Sequence, residues 1–373
     1  MKQGKTDIVE LAKAIQHEAD NKKDYVSPSQ LMSITSCLTP DLTGRDLKVV
    51  MQSTQHEADG NNDCIGEKIE MSMSQHASRQ LGAKFGIPAK YFDKMLKDAP
   101  DLLATNANHW LHKEPKDLMV RTLFGKVRGI MSNRYQRIDN VNIAEDILPF
   151  LLEQQVNGLE VASCEVTEKK LYIKCVMHSL TSEVKVGDIV EAGLWISNSE
   201  IGCGEFEAAP FIHRLSCLNG LKINEARFGK RHIGTRANVN DSTYSILSDE
   251  TLRADDKAFM LKARDVVKAA FDEKRFEFNV NKLRDTTNRK LEGNPVKAVE
   301  VLGNSSGLLQ GEQEGILRKL IEGADLSQYG LVQAVTSYSQ DVDSYDRASD
   351  LEELGGKIVD LTPEEWKPIA VAA

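Results

Sequence analysis

The sequence predicts an α+β fold in which a central, mostly antiparallel sheet is flanked by N-terminal and C-terminal helices. Two observations carry that expectation. Apolar residues recur at helical spacing toward both ends, as Ala77, Leu81 and Phe85 and again as Phe259, Ala263, Val266, Val267 and Ala270. Between them, short runs alternate apolar with polar residues and are separated by turn signals, the pattern of paired strands.

The opening residues, MKQGKTDIVELAKAIQHEAD, place Ile8, Leu11, Ala14 and Ile15 on one side of an amphipathic helix. Polar stretches follow (SPSQ, TPDLTG, HEADGNNDC), so residues 1–65 are expected to form one helix and a mobile polar region. From Met71 the pattern turns helical until Gly86-Ile87-Pro88 stops it, and a second helix is expected from Tyr91 to Leu103. LMVRTL and KVRGIM flank Phe124-Gly125, a hairpin signal. NIAEDILPFLLEQ reads as a helix, with Asn142 and Glu145 at capping-box spacing and Pro149 as a kink.

LEVASCEV and KLYIKCVMH flank Glu168-Lys169 as a second hairpin. Its second strand sets Tyr172, Lys174, Val176 and His178 opposite Leu171, Ile173, Cys175 and Met177. VEAGLWIS and PFIHRLSCL follow as strands, the latter ending at the turn dipeptide Asn219-Gly220. After about Ser245 the pattern is helical again, interrupted by a GNSSG loop at 303–307. DLEELGG reads as a short helix capped at Gly355 or Gly356. The expected units are residues 1–65, an α+β core over 66–245, a helical region over 246–338 and an acidic tail over 339–373.

At 373 residues, 41% of them hydrophobic, the chain can build a sizeable core and is long for one domain. No apolar run approaches the roughly 18 residues of a membrane helix, and the start lacks the apolar stretch of an export signal. A cytoplasmic protein with no membrane partner is expected. The six cysteines (Cys37, Cys64, Cys164, Cys175, Cys203, Cys217) contain no CxxC pair, and several lie in apolar runs, so reduced thiols are expected.

The net charge of -9 excludes a uniformly basic nucleic-acid binder, but the charge is unevenly spread. From Lys113 to Arg137 seven bases face two acids, and from Lys222 to Arg236 five face one. From Asp341 to Glu365 the balance reverses, with nine acids against two bases.

The first basic window offers Arg121, Lys126, Arg128, Arg134 and Arg137 for phosphate contact, and Phe124 and Tyr135 as aromatics on which bases could stack. The second offers Arg227, Lys230, Arg231 and Arg236, with Gly229 and Gly234 allowing backbone N–H groups close to phosphate oxygens. The competing reading of each is a solvated basic face or loop. Nucleotide hydrolysis is not implied, since GxxxxGK[ST] is absent. Gly202 and Gly204 do not complete a dinucleotide motif. His109 and His112 lack the further ligands that a metal needs. Cys217 and His213 stand four apart in an expected strand, too distant for a nucleophile and its base. No catalytic residue, cofactor or metal is therefore expected. The acidic tail could mimic DNA, dock a host or phage protein, or solubilise the chain.

Two stretches, SQHASRQLGAKFGIPAKYFDKML (74–96) and RGIMSNRYQRIDNVNIAEDILPFL (128–151), resemble the phage/plasmid-like protein family, a domain of unknown function carried by bacteriophages and mobile elements. ISNSEIGCGEFEAAPFIHRLSCLNGL (196–221) and YGLVQAVTSYSQDVDSYDRASDLEELGGKIVDL (329–361) agree with it, in the same order. The helix-flanked sheet with basic hairpins is also similar in architecture to the single-strand annealing recombinases of the Erf and RecT types. The resemblance implies a cytoplasmic, homo-oligomeric protein of a bacterial host cell that binds single-stranded DNA in annealing or recombination. The alternatives are a counter-defence or regulatory protein that binds a host protein without DNA, and an unrecognised enzyme acting on nucleic acid.

Overall fold

A computed structural model of the chain describes residues 1–38, 45–52, 55–56, 68–132, 135, 138–223, 228–230 and 249–372. Helix α1 (Ile8–Asp20) is capped by Asp7, whose carboxylate accepts from Val9 N at 2.7 Å and Glu10 N, and it buries Ile8, Leu11 and Ile15. The chain then forms β1 (Lys22–Pro28), β2 (Met32–Leu38), β3 (Arg45–Gln52), β4 (Gln55–His56) and β5 (Lys68–Ser72). Among the described residues, the expectation of a mobile polar region after the first helix is thus corrected; TPDLTG and residues 57–64 of HEADGNNDC lie outside them. MSITSCL and RDLKVVMQ alternate, and their inward residues Ile34, Leu47, Val49 and Met51 are buried. The turn-rich segments between those runs obscured them.

Helix α2 (Gln75–Lys84) begins at Ser74, whose Oγ accepts from Ala77 N, and Gly86 beyond its end has φ 68°. The single helix expected over Tyr91–Leu103 is two, α3 (Ala89–Asp98) and α4 (Pro100–Lys113), because the Pro100 ring obstructs helical continuation at Ala99. Helix α4 lies along β2. Asn108 accepts from Ile34 N at 2.6 Å and donates to Ile34 O at 2.9 Å, and His112 Nε2 donates to Met32 O. Strands β6 (Asp117–Leu123) and β7 (Lys126–Ser132) form the expected hairpin. One sheet runs β4-β1-β6-β7 and another β2-β3-β5, and both pack with α2–α4 around Ile34, Val49, Leu81, Phe92, Leu111, Val120 and Ile130.

Pro149 separates two short helices, α5 (Asn140–Asp146) and α6 (Leu148–Gln154). The expected cap shifts back one turn, with Asn142 Oδ1 accepting from Asp139 N. The second hairpin is β8 (Leu159–Val166) and β9 (Leu171–Lys185), followed by β10 (Asp188–Asn198), β11 (Phe206–Arg214), β12 (Asn219–Lys222) and β13 (Phe228–Lys230). All join one antiparallel sheet in the order β12-β11-β10-β9-β8, with β13 also against β11. Asn219-Gly220 is not the turn. It begins β12, and a Cβ at Gly220 would fall 2.0 Å from Phe211 Cζ, so the glycine is there to admit a ring. The reversal is made just before it, with Leu218 at φ 52°.

From Asp249 onward the described chain is mainly helical: α7 (Asp249–Ala269), α8 (Glu273–Asn288), α9 (Pro295–Ser306), α10 (Gln310–Glu322), α11 (Gln328–Tyr338), α12 (Tyr345–Val359) and α13 (Pro363–Ala370). GNSSG is the end of α9 and not a loop. Only Gly307 leaves the helix, at φ 67°. Helix α12 likewise runs through Gly355 and Gly356, and a Cβ on Gly355 would meet Thr336 Cγ2 at 2.4 Å, so this glycine sets the approach of α12 to α11.

The large sheet is covered on both faces. Leu171, Ile173 and Cys175 share a core with α1, α5, α6 and α7, while Tyr172, Trp195 and Phe211 meet Tyr345 of α12. On that second face Lys174 Nζ lies 2.6 Å from Glu352 Oε2 with both side chains at 0% exposure, and 4.6 Å from the ring centres of Trp195 and Tyr345. Burial pulls the Lys174 ammonium below its usual range while Glu352 opposes the shift. Lys222 bridges Glu207 and Glu353 beside it, and these contacts with Lys357 hold the Glu353 carboxyl down at about 2 against its burial.

Residues 339–373 are therefore not a detachable acidic tail. They bury Leu351, Ile358, Trp366 and Ile369 and neutralise two internal lysines. Deleting residues 340–373 should abolish cooperative thermal unfolding followed by circular dichroism. A truncated chain that melts cooperatively near the full-length temperature would contradict this packing. Glu352→Ala alone should cost about 3–5 kcal/mol in urea denaturation, because it leaves a buried charge uncompensated. Adding Lys174→Met to it should recover much of the loss.

Candidate nucleic-acid interface

The β6–β7 hairpin turns on Phe124 (φ 49°) and Gly125 (φ 73°), the two positive values that a tight primed turn demands. Glycine meets that demand freely. A phenylalanine in the left-handed region costs about 1–3 kcal/mol. Its ring is nevertheless 57% exposed, and it stands 5.3 Å from the His17 ring of α1. Phe124 N donates to Asn21 O at 3.2 Å, which ties the tip to the end of α1. Lys126 beside the tip is exposed, as are Lys23 of β1, which pairs with Thr122, and Lys13 of α1, four residues before His17.

Behind the tip, a β-bulge re-aims one basic residue. Arg121 pairs with Gly129 and Thr122 with Val127, which leaves Arg128 out of the ladder and directed inward. Arg121, 1% exposed, donates to Asp24 Oδ1 at 3.0 Å, to Glu200 O at 2.8 Å and to Asp139 Oδ1 at 2.7 Å. Arg128 pairs with Glu200 Oε2 at 3.2 Å, and Lys22 bridges Asp139 at 2.6 Å and Glu200. Three cations and three carboxylates thus close on one another. Burial lowers the Arg121 affinity for its proton, but Asp139, Asp24 and Glu200 more than reverse this. Asp139 in turn is held well below the usual carboxylate range by Arg121 and Lys22, against its burial.

The sequence-predicted residues therefore separate. Arg121 and Arg128 are corrected from phosphate contacts to internal ion pairs, because their charges are already matched inside the protein. Lys126 is exposed at the tip. Tyr135 is half-buried, donates its hydroxyl to Ser199 O at 3.0 Å, and is held protonated to higher pH by burial. Lys230 has its backbone in β13, paired with Phe206. Arg134, Arg137, Arg227, Arg231 and Arg236 lie outside the described residues. Lys13 and Lys23 were missed, since both lie outside the two basic windows; the pairing of β1 with β6 brings Lys23 beside the hairpin.

Other candidate chemistry resolves into structure. His112 serves the β2 edge, and His109 packs edge-on to Trp110. No group of three or more His, Cys, Asp or Glu arranged for a metal occurs among the described residues. No helix among them is long and apolar enough to cross a membrane. His213 is buried against Glu191, whereas Cys217 is exposed beyond the strand end, next to Arg214 Nη1 at 3.2 Å. Cys203 Sγ lies 3.4 Å and 3.3 Å from the two His76 ring nitrogens, so it sits over the ring face and not in the plane where a base would take its proton. Burial also raises that thiol to about 11, far from a thiolate. A cleft of about 770 Å³ lies between the β9–β10 turn and α10–α11, but its cations pair internally, Arg214 with Asp188 at 2.9 Å and Lys185 with Asp325.

Arg121→Met should lower stability by about 3–5 kcal/mol in urea titrations, through the carboxylates it strands. The sign with pH follows from Asp139. Its stabilising contribution is present above its ordinary value of 3.8 and fades as pH falls, so removing Arg121 should move acid unfolding to higher pH. An unchanged urea midpoint would show that the network is not holding the fold.

No curated protein and no solved structure matches the chain. Residues 127–353 match the family described as Domain of unknown function (DUF932), a span from β7 to α12 that covers more than half of the 373 residues. The chain belongs to that family.

Proposed function

We propose that the protein binds single-stranded DNA through the β6–β7 tip, as a phage- or plasmid-type factor acting in annealing or recombination in the host cytoplasm. The observation that carries the reading is Phe124: a bulky ring held at positive φ and exposed to solvent, where glycine would be less strained. Strain kept at an exposed aromatic, with exposed Lys126 two residues on and Lys23 opposite Thr122, suits a platform on which a base stacks while lysines follow the phosphates. The sequence adds further basic residues in the same windows, Arg134 and Arg137, and Arg227, Lys230, Arg231 and Arg236. Short basic patches hold a long polyanion well when repeated, so a homo-oligomer is part of the proposal.

Phe124→Gly separates function from fold. The melting temperature should stay level or rise, since glycine takes the turn without strain. Affinity for labelled single-stranded DNA should fall by roughly 1–3 kcal/mol, the contribution of one stacked base. Lys126→Ala should flatten the slope of log affinity against log salt by about 0.7. Wild-type affinity in Phe124→Gly, with the fold intact, would remove the tip from the argument. Absence of any salt-sensitive DNA binding would favour a protein-interaction factor.

A further inference from the structure

Four side chains cross the large sheet in a row, away from the β6–β7 tip and its buried network. Glu160 of β8 accepts from His178 Nε2 at 2.8 Å, Glu191 of β10 accepts from His178 Nδ1 at 2.9 Å, and the other Glu191 oxygen accepts from His213 Nδ1 of β11 at 3.1 Å. An ionised carboxylate only accepts, so two ionised carboxylates at both ring nitrogens favour the doubly protonated imidazolium form of His178. Glu191 and His213 are buried, while His178 and Glu160 are exposed, so the row runs from solvent into the sheet.

The row sits where the β9–β10 hairpin changes character. Glu191 pairs with Thr181 and Ala192 with Met177, so residues 178–180 stand out of that ladder as a bulge. Beyond it the hairpin runs out to Val186, 101% exposed, and Gly187, and its distal part lines the 770 Å³ cleft with Lys185 and Asp188. His178 is the bulge residue whose side chain reaches both neighbouring strands. We propose that the Glu160–His178–Glu191–His213 row is a proton-controlled clamp that fixes the distal β9–β10 hairpin, and with it one wall of the cleft.

The charged surroundings agree. His178 faces Glu160 from β8 and Glu191 from β10, with His213 behind Glu191 from β11 and the chain's amino group reaching His213. From α8, Arg284 and Glu277 hold Ser182 and Glu183 O, just past the bulge. Hydrogen bonds to Glu191 and Glu160 raise the His178 pKa above 6.5, and burial lowers that of His213 below it. The clamp is thus closed in the window between the two. Raised, His178 stabilises the hairpin at low pH and releases it as pH climbs through its folded value. Lowered, His213 resists protonation and loosens the row as pH falls below 6.5.

The test is amide hydrogen exchange of the full chain between pH 6 and 9, expressed as protection factors, with the His178 ring followed by NMR. Protection over residues 181–191 should fall by up to about tenfold per pH unit between about 6.5 and the His178 midpoint and level off above it, while the rest of the sheet stays level. His178→Gln should abolish that dependence. Glu160→Gln, at an exposed position that leaves the core untouched, should move the midpoint down. The proposal is overturned by protection that does not vary with pH in the wild type, or by a His178 midpoint at or below about 6.5. It is overturned equally by a midpoint that ignores Glu160→Gln.

Discussion

The loop from Asn198 to Cys203 is the constraint on which both halves of the molecule rest. Three consecutive carbonyls leave it toward different parts of the molecule. Ser199 O takes the Tyr135 hydroxyl, Glu200 O takes Arg121, and Ile201 O takes His76 and Gln80. The Glu200 carboxylate meanwhile binds Arg128, Lys22 and the Asn140 backbone. Ser199 Oγ receives Ile201 N and Cys203 N and so braces the loop from within. A loop that leaves the large sheet thereby becomes the socket for the β4-β1-β6-β7 sheet. Its energetics are those of buried charge: replacement of the whole set by apolar groups is tolerable in principle, whereas loss of one member is not.

The same logic recurs at the other face of the large sheet, with a different solution. There aromatic rings stand among the charges. Lys174 is enclosed by Trp195, Tyr345 and Glu352, so part of its lost hydration is replaced by ring faces. The family match runs from β7 to α12 and so includes Glu200, Arg128, Lys174 and Glu352. Arg121, Asp24 and Lys22 lie before it, which makes the first network a seam between the matched span and the strands that precede it.

Much of the architecture was legible because periodicity reports burial. The β8–β9 hairpin, the Phe124-Gly125 turn and the α7 stripe are all where alternation and helical spacing put them. What was lost depended on packing that a local window cannot contain. Asn219-Gly220 reads as a turn until the Phe211 ring above Gly220 is known, and Gly355 reads as a cap until Thr336 is placed against it. The candidate site suffered in the same way. A run of bases does not reveal which way each one points, and the acids that claim Arg121 and Arg128 come from positions 24, 139 and 200. One clue was local: Leu118 to Thr122 and Val127 to Met131 are buried on both strand faces, so an arginine within them had no outward face to occupy.

The Asn108 side chain offers β2 an acceptor and a donor in the spacing of a peptide group. It acts as a one-residue strand. With His112 taking Met32 O as well, the free margin of the β2-β3-β5 sheet is occupied by a helix that contributes no ladder of its own. Any extended segment that sought to lengthen this sheet would have to evict an amide already in register. The protein thus blunts a sticky margin without a proline, a bulge or an added charge, and strand addition between copies is discouraged at that margin.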